Sequence, residues 1–168
     1  MIGGPSRQNA RPAQASLLDR LMDAEPERPR DAPISAAESV AQLRRSVHRD
    51  VEALLNARRP WRSVPDEMKA LRLSPLGFGI PDFTAGAFND RRQREILRAE
   101  IEDTIRRYEP RLTQVQVQLA DDGDLLRATL HLRIDALLRM DPAPEPIIFD
   151  TTVDTTTADV TLRPLYDA

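Results

Sequence analysis

The sequence contains no cysteine, which excludes a disulfide framework, a thiolate metal site and a cysteine nucleophile together. Lysine is nearly absent as well: of 24 basic residues only Lys69 is not arginine. A guanidinium makes fixed, forked pairings with carboxylates that an ammonium does not. Aromatic residues amount to 4% with a single Trp, which leaves the core to Leu, Val, Ile and Ala. No apolar run approaches the roughly 20 residues of a membrane-spanning helix. The opening, Met1-Ile2-Gly3-Gly4-Pro5-Ser6-Arg7, lacks the apolar stretch of a secretory signal. With 24 basic against 27 acidic residues, there is no general positive excess to hold a phosphate backbone. A soluble, cytoplasmic protein that neither binds nucleic acid nor inserts into a membrane is expected. Its 168 residues suffice for one domain of ordinary size.

The first 33 residues carry five of the 14 prolines, Pro5, Pro12, Pro26, Pro29 and Pro33, among many charges. Such a stretch buries too little apolar surface to offset its ordering entropy, so residues 1–33 are expected to form a flexible extension. One island interrupts it, a short docking helix expected at 16–23. Ser16 caps it, and Leu17, Leu18, Leu21 and Met22 lie on one side. A helix of that length is unstable alone in water; it needs its own domain or a partner to dock on. Residues 34–168 are expected to form a single domain.

That domain begins with a capping box, Ser35-Ala36-Ala37-Glu38. Behind it Val40, Leu43, Val47, Val51, Leu54 and Leu55 recur at helical spacing until Pro60. His48 beside this stripe has no second ligand at metal spacing, so a solvated or capping role is expected. Residues 60–89 read as an ordered loop: it holds Trp61, Phe78, Phe83 and Phe88, a density of aromatics that a disordered linker would not spend. These side chains either pin the loop to the core or face a partner. Asn89 or Asp90 caps a second helix with Ile96, Leu97, Ile101 and Ile105 on its buried stripe, and Pro110 ends it. The remainder reads as strands. Val115, Val117 and Leu119 alternate with Gln114, Gln116 and Gln118, and a turn falls at Asp121-Asp122-Gly123-Asp124. A second run alternates from Ala128 to Ala136, with His131 on the polar side. After a proline-rich break, strands follow at 147–153 and 158–162. Helices followed by strands give an α+β fold, two main helices packed on one face of a mainly antiparallel sheet.

The sequence offers little catalytic chemistry. Gly77-Phe78-Gly79 is too short for a phosphate loop, no serine elbow is present, and two histidines on solvent-facing positions assemble no triad. With 27 acidic residues some carboxyl pair will fall about 5–9 Å apart, as a glycosidase requires, yet none is set apart from the others. No cofactor, metal or catalytic residue is expected. One motif remains: Tyr108-Glu109-Pro110-Arg111 at the helix-to-strand junction. Pro110 fixes the backbone there, so Glu109 and Arg111 hold defined directions suited to a charge-assisted pairing.

Read in order, several segments carry a resemblance. They are Ser16-Leu17-Leu18-Asp19-Arg20-Leu21, Leu43-Arg44-Arg45-Ser46-Val47, and Arg49 through Arg59. Ser74-Pro75-Leu76-Gly77-Phe78-Gly79-Ile80-Pro81-Asp82-Phe83-Thr84 and Tyr108-Glu109-Pro110-Arg111-Leu112 complete the set. From about residue 16 to 165 the chain resembles the TssE family. These are small baseplate subunits of the bacterial type VI secretion system, related to the small wedge protein of contractile phage-tail baseplates. The resemblance implies a structural, non-enzymatic subunit with a fold similar to the strand-exchange domain of the sheath. It implies the baseplate partners TssF, TssG and TssK, the sheath proteins TssB and TssC, and the hub VgrG and tube Hcp nearby. The implied location is the cytoplasmic baseplate docked at the inner membrane complex. Glu109, Pro110 and Arg111 match the family's hallmark motif and are expected to bind a partner, as are Leu17, Leu18 and Leu21. Arg111→Ala is expected to block assembly with little loss of fold, as befits an exposed ion pair. The Thr-rich stretch from Asp150 to Thr157 is expected to expose a sheet edge that accepts another chain's strand. The rival reading is a peptidoglycan-cleaving, lysozyme-like enzyme, and a third is an adaptor outside any secretion machine.

Overall fold

The computed structural model describes residues 16–21, 27, 35–59, 65, 67–83, 90–120, 129–141 and 143–165. Its elements are α1 (Leu17–Leu21), α2 (Ala36–Asn56), β1 (Arg58–Arg59), α3 (Lys69–Arg72), β2 (Ile80–Pro81) and α4 (Arg91–Tyr108). The strands β3 (Leu112–Leu119), β4 (Thr129–Leu138), β5 (Glu145–Asp154) and β6 (Val160–Pro164) follow. The last four form an antiparallel sheet in the order β3-β4-β5-β6. The α+β expectation holds, with α2 and α4 both packed on one face.

The helices form where the caps place them. The Ser35 hydroxyl accepts the Glu38 N–H at 3.2 Å, and the Asp90 carboxylate accepts the Arg92 N–H at 2.9 Å. Leu43, Val47, Val51 and Leu55 of α2 and Leu97, Ile101 and Ile105 of α4 are buried against Val115, Val117, Leu132, Ile134, Phe149 and Val153. The expected turn at 121–124 and the expected contacts of Trp61 and Phe88 lie outside the described residues.

Three features depart from simple alternation. Leu112, Val115 and Val117 are all buried although Leu112 and Val115 stand three apart. A bulge between Thr113 and Gln116, with Gln114 at φ 52°, absorbs the extra residue and turns both side chains to the core. The proline-rich break is shorter than expected, because Pro146 lies inside β5 opposite Leu137. Ile148, two residues on, accepts the Leu165 N–H at 2.9 Å, so the Pro146 nitrogen faces that same side, past the last described pairing with β6. The third departure is a correction. The stretch from Asp150 lies in β5, an interior strand flanked by β4 and β6, and does not form an edge. Thr151 there is fully buried, and its hydroxyl has no hydrogen-bond partner among the described residues. Thr151→Val keeps the shape and removes an unsatisfied polar atom, so thermal or denaturant melts should show a gain of about 1 kcal/mol.

Candidate functional site

Residues 109–112 form a tight corner between α4 and β3. The Glu109 N–H closes the helix on the Ile105 carbonyl at 2.9 Å, and the Leu112 N–H returns to the Glu109 carbonyl at 3.1 Å. Pro110, exposed at the turn, starts no further helical bond because it has no N–H. The corner folds Glu109 inward, with 5% of its side chain exposed, and sets Arg111 over it. The Arg111 Nε donates to Glu109 Oε1 at 2.6 Å and its Nη2 donates to Glu109 Oε2 in a forked pair. The same guanidinium reaches α2, giving Nη2 to Asp50 Oδ2 at 2.7 Å and Nη1 to Ser46 Oγ at 3.1 Å. Glu109 first, then Asp50, hold it more firmly protonated than a free arginine.

Four N–H bonds of Arg111 are thus made inside the chain, leaving at most one donor of the fork for another molecule. The pair with Glu109 is therefore not the exposed one expected: the two side chains are 24% and 5% exposed. Proline geometry announces the fork between Glu109 and Arg111. Its second layer, Ser46 and Asp50, is one helical turn apart on the polar flank of α2, a spacing that gains meaning only once β3 is placed beside it.

The network continues to α1. Ser46 donates to Asp19 Oδ2 at 2.5 Å, Arg49 donates to Asp19 Oδ1 at 2.8 Å, and Ser16 donates to Asp19 Oδ2 at 2.6 Å. The hydroxyls of Ser16 and Ser46, together with Arg49, hold the Asp19 carboxyl well below the usual carboxylate range. The short helix therefore docks through its acid, not through its leucines. Leu17, Leu18 and Leu21 are 70%, 61% and 73% exposed, the reverse of the packing an amphipathic helix makes on its own core.

Tyr108, just before the corner, anchors the preceding loop. Its hydroxyl is shared between the carbonyls of Arg72 and Ser74, the latter at 3.0 Å, and burial pushes its pKa up. A Cβ on Gly77 would collide with the Tyr108 hydroxyl and the Arg72 carbonyl, so only glycine admits this anchor. Gly79, at φ 93°, lies against the Ala57 backbone, where the Ile80 N–H meets the Ala57 carbonyl at 3.0 Å. The sequence shows these glycines as a failed phosphate loop; their structural work is close approach. Ile80 is buried and Phe83 packs on the core, as the pinned-loop reading requires. Met68, Leu73, Leu76 and Phe78 are instead exposed, an apolar ridge along the loop that reaches the corner where Phe78 meets the Tyr108 ring edge-on, centroids 5.4 Å apart.

His48 stands at the β6 edge, its Nε2 at 3.0 Å from the Leu162 carbonyl, and His131 lies on the open face of the sheet. Among the described residues no group of three or more His, Asp or Glu side chains converges as a metal site. No helix among them is long and apolar enough to cross a membrane. The arrangement is one of fixed ion pairs and presented apolar side chains, suited to holding other proteins. Residues 41–143, from the first turns of α2 to just beyond β4, match the family described as baseplate wedge protein gp25. No curated protein and no solved structure gives a significant match. The match spans the α2 face, the anchored loop and the corner together, and the chain belongs to the baseplate wedge protein gp25 family.

Proposed function

We propose that this baseplate wedge protein is the small subunit of a type VI secretion baseplate, filling the TssE role. In this reading it joins TssF, TssG and TssK in the cytoplasmic wedge docked at the inner membrane complex, around VgrG and below the Hcp tube. It then starts polymerisation of the TssB and TssC sheath. The observation that carries the reading is the family match over residues 41–143, reinforced by the hallmark Glu109-Pro110-Arg111 within it. The role is structural, not catalytic: the acidic side chains of the corner are engaged by Arg111 and Arg49, and none is set up as an isolated acid.

Two surfaces supply the contacts. Leu17, Leu18 and Leu21 face outward on a helix clamped by Asp19, and the ridge of Leu73, Leu76 and Phe78 lies beside the corner. Arg111 acts mainly by fixing the corner between them, with its remaining donor available to a baseplate carboxylate. Co-purification with TssF and TssG tests this. Changing Leu17, Leu18 and Leu21 together to Asp should weaken recovery of both partners and shift the melting temperature by no more than about 2 °C, as exposed positions allow. Full recovery of the partners would remove α1 from the interface, and a large fall in melting temperature would make it part of the core.

A further inference from the structure

The seam between α1 and α2 holds an open cavity of about 360 Å3, lined by Asp19, Gln42, Arg45, Ser46 and Arg49. Gln42, Arg45 and Arg49 stand three and four apart on α2 and so share one face of it. Ser46 is buried and the Asp19 side chain is 7% exposed, whereas Arg45 is exposed and half of the Arg49 side chain reaches water. The cavity therefore has a polar floor and a cationic rim. A closed ring of bonds fixes the floor. Arg111 donates to Ser46 at 3.1 Å, Ser46 to Asp19 at 2.5 Å, and Arg49 to Asp19 at 2.8 Å. Asp50 completes the ring, taking one bond from Arg49 at 2.8 Å and one from Arg111 at 2.7 Å.

The cavity is short of acceptors. Asp19 already accepts from Ser16, Ser46 and Arg49, and Ser46 has given its one proton to Asp19. Donors remain. Arg49 spends Nε and Nη2 on Asp19, Asp50 and Ser46, and its Nη1 has no acceptor among the described residues. Arg45 has no partner among them either, although Arg44 beside it is paired with Glu145. Within the lining two guanidiniums stand against one carboxylate, which leaves one positive charge in excess. A surplus arginine on a helix is ordinarily just solvated. Here it shares a cavity with a second arginine that the ring holds in place, so little ordering is left for a ligand to cause.

We propose that this cavity is a receptor for a single carboxylate, a Glu or Asp side chain of a neighbouring baseplate protein, held by Arg45 and Arg49 with Gln42 beside them. This rests on the baseplate role proposed above and adds a polar contact to the apolar one on α1. One carboxylate balances the excess charge, whereas a phosphate dianion exceeds it and lies against Asp19. The source follows from what surrounds the cavity. Asp19 shares α1 with Leu17, Leu18 and Leu21, which are 61–73% exposed, and a five-residue helix is only about 7.5 Å long. A protein surface that covers those leucines is therefore within reach of the cavity. Apolar contact has no direction of its own; the carboxylate fixes how the partner lies on α1.

Titration of the full chain with glutamate capped as its N-acetyl amide, read by NMR on the arginine Nε–H signals, tests the ligand class. Co-purification with TssF and TssG tests its source. The capped glutamate should shift the Arg45 and Arg49 signals saturably, and capped glutamine should not. Arg45→Ala should weaken that binding roughly tenfold, as loss of one charge-assisted bond does. Its melting temperature should move by no more than about 2 °C, because the residue lies outside the ring. Arg45→Glu should lower recovery of TssF and TssG roughly tenfold, since it sets a like charge against the incoming acid. Arg45→Lys should keep part of the recovery. No saturable shift with capped glutamate overturns the carboxylate site, as does inorganic phosphate acting at a lower concentration. A saturable shift with full recovery of both partners by Arg45→Glu would make the ligand a free small acid and overturn the partner as its source. A parent chain that recovers neither TssF nor TssG overturns the baseplate reading and the source with it, and the titration alone then decides the carboxylate site.

Discussion

Replacing Arg111 with alanine should destabilise the domain by about 3 kcal/mol, because Glu109 then keeps a buried charge without its counter-ion. For a domain of this size that is a fall of about 10 °C in melting temperature. The loss has three parts: the forked pair with Glu109, the bond to Asp50, and the bond to Ser46 that joins the corner to α1. Arg111→Lys should recover only part of it, since one ammonium cannot span Glu109, Asp50 and Ser46 at once. Adding Glu109→Gln to Arg111→Ala should regain some stability, because a neutral amide is cheaper to bury than a carboxylate. An Arg111→Ala protein that melts with the parent would show that the network contributes nothing and that the arginine is held in reserve for a partner.

The second large effect is expected at Gly79. At φ 93° an L side chain is strained, and a Cβ there meets the Ala57 carbonyl and its carbon. Backbone is not the flexible end of a side chain and has nowhere to go. Gly79→Ala should therefore cost about 2–4 kcal/mol and loosen the parallel pairing of Arg58 with Ile80. Proteolysis should then begin between residues 67 and 83, and recovery of baseplate partners should fall with the displaced ridge. Gly77→Ala should act on the same loop, since a Cβ there meets the Arg72 carbonyl backbone as well as the Tyr108 hydroxyl; its φ is ordinary, so the loss comes from the clash alone. A Gly79→Ala protein as stable as the parent would contradict the close packing of the loop on α2.

Much of the fold was legible in the sequence because it is written in local signals. The Ser35 and Asp90 caps and the helical spacing of Val47, Val51 and Leu55 require no knowledge of distant neighbours. The alternation in β4 likewise reads directly as one buried face. What was not legible depends on strand order. Nothing local in Asp150 to Asp154 distinguishes an interior strand from an edge, and threonine suits both. The bulge, by contrast, leaves a readable trace in the spacing of Leu112, Val115 and Val117.

The candidate site divides in the same way. Pro110 marks the corner, and the short spacing of Glu109 and Arg111 permits their fork. The contributions of Ser46, Asp50 and Asp19 come from segments far along the chain and appear only when α1, α2 and β3 meet. The outward leucines of α1 follow from a single acid. Because Asp19 claims the side facing α2, the apolar side has no core to enter. The bonds of Asn56 to the Val160 backbone and of Glu102 to the Val117 N–H are legible only in hindsight, since a polar residue on a helix flank ordinarily means a solvated face.

Sheath assembly in living cells tests the central claim most directly. In a strain with a fluorescent TssB sheath, deletion of this protein's gene should leave the label diffuse, and return of the intact chain should restore elongating sheaths. Sheaths that form at normal number and length without the protein would contradict its role as their starting point.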